Sequence, residues 1–179
     1  MFRRKLLAAA MSVAILLMST AAQAAPTTST SLTTGWTSGA SGDMVVEVGS
    51  VTVTQTPDGD VTLSFVINRT IVCPDVPTAL TTERWEATAP ASLSIKNNLS
   101  SASAAATVTG GYSVTSNCPD VIEVSGDVGL ITIETVANAR TVRERTADGV
   151  RILTRSVDFA IVAGSLERQA PGEIQKVIG

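Results

Sequence analysis

Two cysteines, Cys73 and Cys118, stand in the same four-residue setting, Cys-Pro-Asp-Val, and they are the only two in the chain. A thiolate metal site needs about four Cys or His ligands, and there is no histidine. A thioredoxin-like redox site requires Cys-x-x-Cys, which is absent. Two explanations remain: a duplication, or one structural disulfide. Upstream of the two motifs only Thr62 and Thr107 coincide, so a repeat is left unproven and a Cys73–Cys118 bridge is expected. Such a bridge closes a long loop and contributes on the order of 4 kcal/mol in the chain-entropy account. Pro74 and Pro119 preset φ, and Asp75 and Asp120 favour turns. Each cysteine should therefore end a strand and lead into a tight turn, with the two strand ends side by side.

The lack of histidine removes the usual general base near neutral pH and excludes Ser-His-Asp and Cys-His mechanisms. Carboxylate pairs are the remaining route to hydrolysis, as in glycosidases. Asp58 and Asp60 share a turn, and Glu83 and Glu86 flank Trp85; a solvated turn and an exposed strand face account for them. "PDGD" lacks the ligand spacing of an EF-hand loop. Asp75 and Asp120 would add an oxygen-rich pocket only if the staple joins their turns, and ordinary turn chemistry explains the same residues. There is no G-x-S-x-G elbow and no S-x-x-K motif. Lys96 and Lys176 have no partner motif, and two N-glycosylation sequons occur at Asn68 and Asn98. No catalytic residue, metal or cofactor is assigned.

One cluster rises above this background. Arg140, Arg143, Arg145, Arg151 and Arg155 fall within sixteen positions. With Glu144 and Asp148 the segment carries +3, whereas the rest of the chain after residue 24 carries −9. Arginine suits carboxylate and phosphate recognition. Alternation predicts Arg143 and Arg145 on one face of their strand, and Arg151 and Arg155 on one face of theirs. Read as a docking surface, this candidate site would take an anionic cell-envelope polymer or an acidic protein surface as its partner. The competing explanation is a solvated hairpin whose charge deters edge-to-edge aggregation.

The elements that must position these residues begin with a leader. Arg3, Arg4 and Lys5 precede an apolar run from Leu6 to Met18 and the small-residue ending Ala22-Gln23-Ala24, the grammar of a signal peptide over residues 1–24. Export to an extracellular or periplasmic space is expected, with no membrane span after cleavage. That compartment permits the disulfide. Beyond residue 24, ten cationic residues face sixteen acidic ones, a net of −6, which argues against nucleic-acid binding. Residues 25–43 are Thr, Ser and Gly with one Trp and predict a flexible arm.

From Met44 the pattern has period two. Val51 and Val53 share a face, as do Leu63, Phe65 and Ile67, with a turn at Pro57–Asp60 between the runs. Alternation also aligns Trp85 with Ala87, Leu93 with Ile95, and Ala102, Ala104, Ala106 and Val108. A turn at 125–127 precedes a strand containing Ile131 and Ile133, and a long hairpin turns near Asp148-Gly149. Eight to ten short strands and no amphipathic helix predict an all-β domain over 44–168. A single antiparallel β-sandwich, loosely immunoglobulin-like, is expected, with a small β-barrel as the alternative. Residues 169–179 are expected to form a frayed tail. The composition points to a secreted non-catalytic β-domain with a binding or structural role at the cell surface; a histidine-free hydrolase using carboxylates is the alternative.

Overall fold

A computed structural model describes residues 27–40 and 44–179, apart from the side chains of 138–140. The expected signal peptide lies outside them. The described chain is all-β and antiparallel, without helix. Its strands are β1 (Thr28–Ser38), β2 (Val45–Gln55), β3 (Val61–Cys73), β4 (Val76–Pro90), β5 (Ser92–Ile95), β6 (Ala102–Ser116), β7 (Val124–Arg145), β8 (Arg151–Ala163) and β9 (Leu166–Ile178).

Successive strands pair as a meander in the order β4-β3-β2-β1-β9-β8-β7-β6-β5, and β4 also pairs with β6. The ladders therefore return on themselves: β1 lies between β2 and β9, and β4 between β3 and β6. Such closure satisfies the backbone donors and acceptors that an open edge would leave bare. The sheet encloses one core. Val51, Val53, Leu63, Phe65, Ile67, Ile131 and Ile133 are all essentially inaccessible and belong to a single cluster with Leu32, Phe159, Ile161 and Ile174. The alanines of β6 are buried at alternate positions, Ala102, Ala104 and Ala106, as their period-two spacing predicted. The turn at 56–60 closes with Gly59 N–H donating to Thr56 C=O at 3.0 Å, and the turn at 146–150 repeats the pattern from Gly149 to Thr146.

Three expectations are corrected. Residues 28–38 are strand β1 rather than part of a flexible arm. Low hydrophobicity is a poor guide here, because β1 is held by ladders on both sides; β-branched threonines suit a strand, and Leu32, its one large aliphatic side chain, reaches the core. Residues 169–178 continue β9 rather than fraying, since β9 is paired by both β8 and β1 and buries Ala170 and Ile174. The expected turn at 125–127 is instead extended backbone of β7, paired with Ser113, Tyr112 and Gly111 of β6.

The meander gives the molecule two distinct ends. One carries the 73–76 turn, the 117–123 connection and the disulfide between them. The other carries the 56–60 turn, the 96–101 loop and the β7–β8 turn.

Candidate functional site

The β7–β8 register pairs Thr141 with Arg155, Arg143 with Leu153, and Arg145 with Arg151. Directly paired residues project to the same side of a sheet, so Arg143, Arg145, Arg151 and Arg155 share one face. The two pairs of arginines on separate strands are thus brought together by the turn at Gly149. A cleft of about 410 Å³ opens on this face, lined by Arg143, Arg145, Arg151 and Leu153 from the hairpin, by Asn97–Leu99 and by Ile178. Glu144 also borders it. Arg140 lies within β7, and its side chain is outside the described residues.

The opposite wall of the cleft is a pinned loop. Leu99 has φ of 57°, a region that disfavours aliphatic side chains, yet it is fully buried. Burying a leucine is worth about 1.5–3 kcal/mol, which offsets that backbone cost and fixes the loop over the end of the core. Arg155 serves the same wall: its Nη1 donates to Thr141 Oγ1 at 2.9 Å and to the Asn98 carbonyl at 3.3 Å. Of the four arginines expected to form a patch, Arg155 is therefore a buttress. Arg143, Arg145 and Arg151 are exposed and take part in no ion pair among the described residues. Three guanidinium groups with one nearby carboxylate leave a cationic cleft suited to an anion with several carboxylate or phosphate groups.

At the disulfide end the interior is polar. Cys73 and Cys118 are bonded, with Cα atoms 5.9 Å apart, within the normal bridging range. Inward-facing Glu47 is almost wholly buried. It accepts hydrogen bonds from Trp36 Nε1 at 2.8 Å, from Arg69 Nε at 3.0 Å, and from both Nε and Nη2 of Arg168. Arg69 also donates to Glu83 at 2.8 Å and lies 5.2 Å above the Trp85 ring, and Trp85 packs against Tyr112 with centroids 5.1 Å apart. Burial pushes the Glu47 carboxyl up, but the hydrogen bonds from Arg168, Trp36 and Arg69 outweigh it and bring it down to about 2. The Glu47 hydrogen bond raises Arg168 in turn, against its burial. Burial, aided by the Glu83 charge, raises the Tyr112 hydroxyl.

This network was not anticipated. Its signal was present: Glu47 interrupts the inward series that continues as Gly49, Val51 and Val53, Arg69 extends Leu63, Phe65 and Ile67, and Arg168 falls between Leu166 and Ala170. Gly49 shows how tightly the group is fitted. A Cβ there would lie 2.2 Å from the Trp36 ring, so only glycine lets the indole lie across β2 and reach Glu47.

The carboxylate pairs read from sequence do not converge. Glu83 faces inward and is engaged by Arg69, whereas Glu86 is exposed and pairs with Arg84; the odd spacing puts them on opposite faces. Asp58 and Asp60 lie in the exposed 56–60 turn. The staple does bring Asp75 and Asp120 to one cavity, but among the described residues no group of three or more acidic or cysteine side chains is arranged to hold a metal ion. In comparisons with known proteins, the chain matches no family model, no curated protein and no solved structure.

Proposed function

We propose that this chain is an exported, non-catalytic β-domain that binds an anionic partner of the cell envelope through the cleft between the 97–99 loop and the β7–β8 hairpin. The observation that carries the proposal is the convergence of Arg143, Arg145 and Arg151 on one open face without ion pairs among the described residues. The leader-like residues 1–24 support export, and the disulfide is consistent with an oxidising compartment. The two inward-facing glutamates do not form the acid–base pair that a hydrolytic role would need, because Glu47 and Glu83 share Arg69 as a counter-ion.

An exposed ion pair is worth only about 0–1 kcal/mol. Three together therefore give at most about 3 kcal/mol, on the order of a hundredfold in affinity. A polyanion that engages all three at once is the fitting ligand class. The test is binding of the wild-type chain and an Arg143→Ser/Arg145→Ser/Arg151→Ser variant to a polyphosphodiester and a polycarboxylate across a salt series. Arg155 is retained because it holds the loop. The wild type should bind tens-fold more tightly at low salt. The advantage should shrink as the Debye length falls from about 10 Å at 0.1 M to about 3 Å at 1 M. Equal binding by both proteins would remove the proposal.

A further inference from the structure

The disulfide end carries a second cavity, of about 400 Å³, whose chemistry is opposite to that of the arginine cleft. Its walls are largely apolar, formed by Ile71, Val72, Val76, Val114 and Val121 together with the Cys73–Cys118 bridge. Among the described residues its charged groups are all carboxylates, Asp75, Glu83 and Asp120, and no lysine or arginine lines it. Glu83 stands on β4 directly opposite Val114 of β6. One of its oxygens, Oε2, accepts from Arg69 at 2.8 Å. A carboxylate offers about four acceptor sites, so this contact does not exhaust it. Asp75 and Asp120 sit in the two turns that the bridge ties together, each two residues beyond a bonded cysteine.

We infer that this cavity is a binding site for a small organic cation with an apolar body, of the alkylammonium class. Two independent features point to that class. The aliphatic and disulfide surface excludes a bare metal ion or a sugar as the best fit, because either would leave the walls without a partner. Asp75 and Asp120 take part in no ion pair among the described residues, which disfavours an anion and favours a cation over a neutral hydrocarbon. The volume lies within the roughly 300–1,000 Å³ range of small-molecule pockets. Hydrogen bonds also hold the Cys118 side of the cavity in place. Thr81 Oγ1 lies 2.8 Å from Ser116 Oγ and 3.2 Å from Cys118 Sγ, and Cys118 N–H donates to Ser116 Oγ at 3.0 Å. The site is separate from the arginine cleft, and neither proposal depends on the other.

The test is calorimetric titration of the oxidised, disulfide-bonded chain with octylammonium, octanol, octanoate and butylammonium below their aggregation concentrations. Octylammonium should bind one to one, at least tenfold more tightly than octanol, with no detectable octanoate binding. Affinity should rise about threefold to fourfold per methylene from butyl to octyl. Asp75→Asn/Asp120→Asn should lower octylammonium affinity about tenfold and leave octanol unchanged. Asparagine is a fitting replacement at position 120, where φ is 65°, and an unchanged near-ultraviolet spectrum checks the fold. The Arg143→Ser/Arg145→Ser/Arg151→Ser variant should bind octylammonium as the wild type does. Equal affinity for octylammonium and octanol would overturn the inference, as would an Asp75→Asn/Asp120→Asn variant that binds within twofold of wild type. Oligolysine binding as tightly as octylammonium would overturn the requirement for an apolar body.

Discussion

Replacing Glu47 by glutamine tests whether a buried ion network organises the disulfide end. The glutamate accepts four hydrogen bonds, two of them from Arg168 and one each from Arg69 and Trp36. Glutamine has nearly the same shape but presents one oxygen and one amino group. At least one arginine donor would then face another donor where the side chain at position 47 is almost wholly buried. The magnitude follows from proton linkage. The Glu47 carboxyl falls from an ordinary 4.5 to about 2 in the folded chain. At about 1.36 kcal/mol per unit this represents roughly 3 kcal/mol of stability at neutral pH. That agrees with the approximately 3–5 kcal/mol lost when one partner of a buried pair is removed. Because the folded value is depressed, the contribution is fully present above pH 4.5 and drains away as pH falls toward 2. Urea unfolding followed by tryptophan fluorescence should therefore show Glu47→Gln about 3 kcal/mol less stable at pH 7, with the gap closing below pH 4.5 to under about 1 kcal/mol near pH 2. A gap that stays constant from pH 7 to pH 2 would show that shape, not charge, is responsible. A gap below about 1 kcal/mol at pH 7 would show that the network contributes little net stability.

The neighbouring glycine supplies a steric counterpart. Gly49→Ala places a methyl 2.2 Å from Trp36 Cζ2, so stability should fall by about 1–3 kcal/mol and tryptophan emission should shift as the indole leaves Glu47. Leu63→Ala truncates a fully buried side chain and should cost about 2–5 kcal/mol in urea unfolding; a change within error would contradict its place in the core. Cys73→Ser/Cys118→Ser opens a bridge spanning 45 positions and should lower stability by about 4 kcal/mol. Mass spectrometry of non-reduced peptides should show the 73–118 cross-link in wild type.

Local pattern by itself determined the all-β class, the turns at 56–60 and 146–150, the inward sets of β2, β3, β6 and β7, and the disulfide. Each of these rests on residues within a few positions of one another, or on a choice with a single pairing. Alternation also put Arg143 with Arg145 and Arg151 with Arg155, but only the register across Gly149 decided that both pairs share one face and that Arg155 turns to hold the 97–99 loop. The role of β1 and β9 was not legible. Thr28–Ser38 has little apolar surface, and what makes it a strand is the presence of β2 on one side and β9, more than 120 positions away in sequence, on the other. Glu47, Arg69 and Arg168 likewise read as isolated charges in chain order. They become one network because a closed sheet gathers the inward positions at one end of several strands into a shared interior, where a charge must find its opposite or remain unfolded in water. Side-chain alternation is a property of one strand; closure and charge pairing belong to the whole ring, and tertiary structure alone decides them.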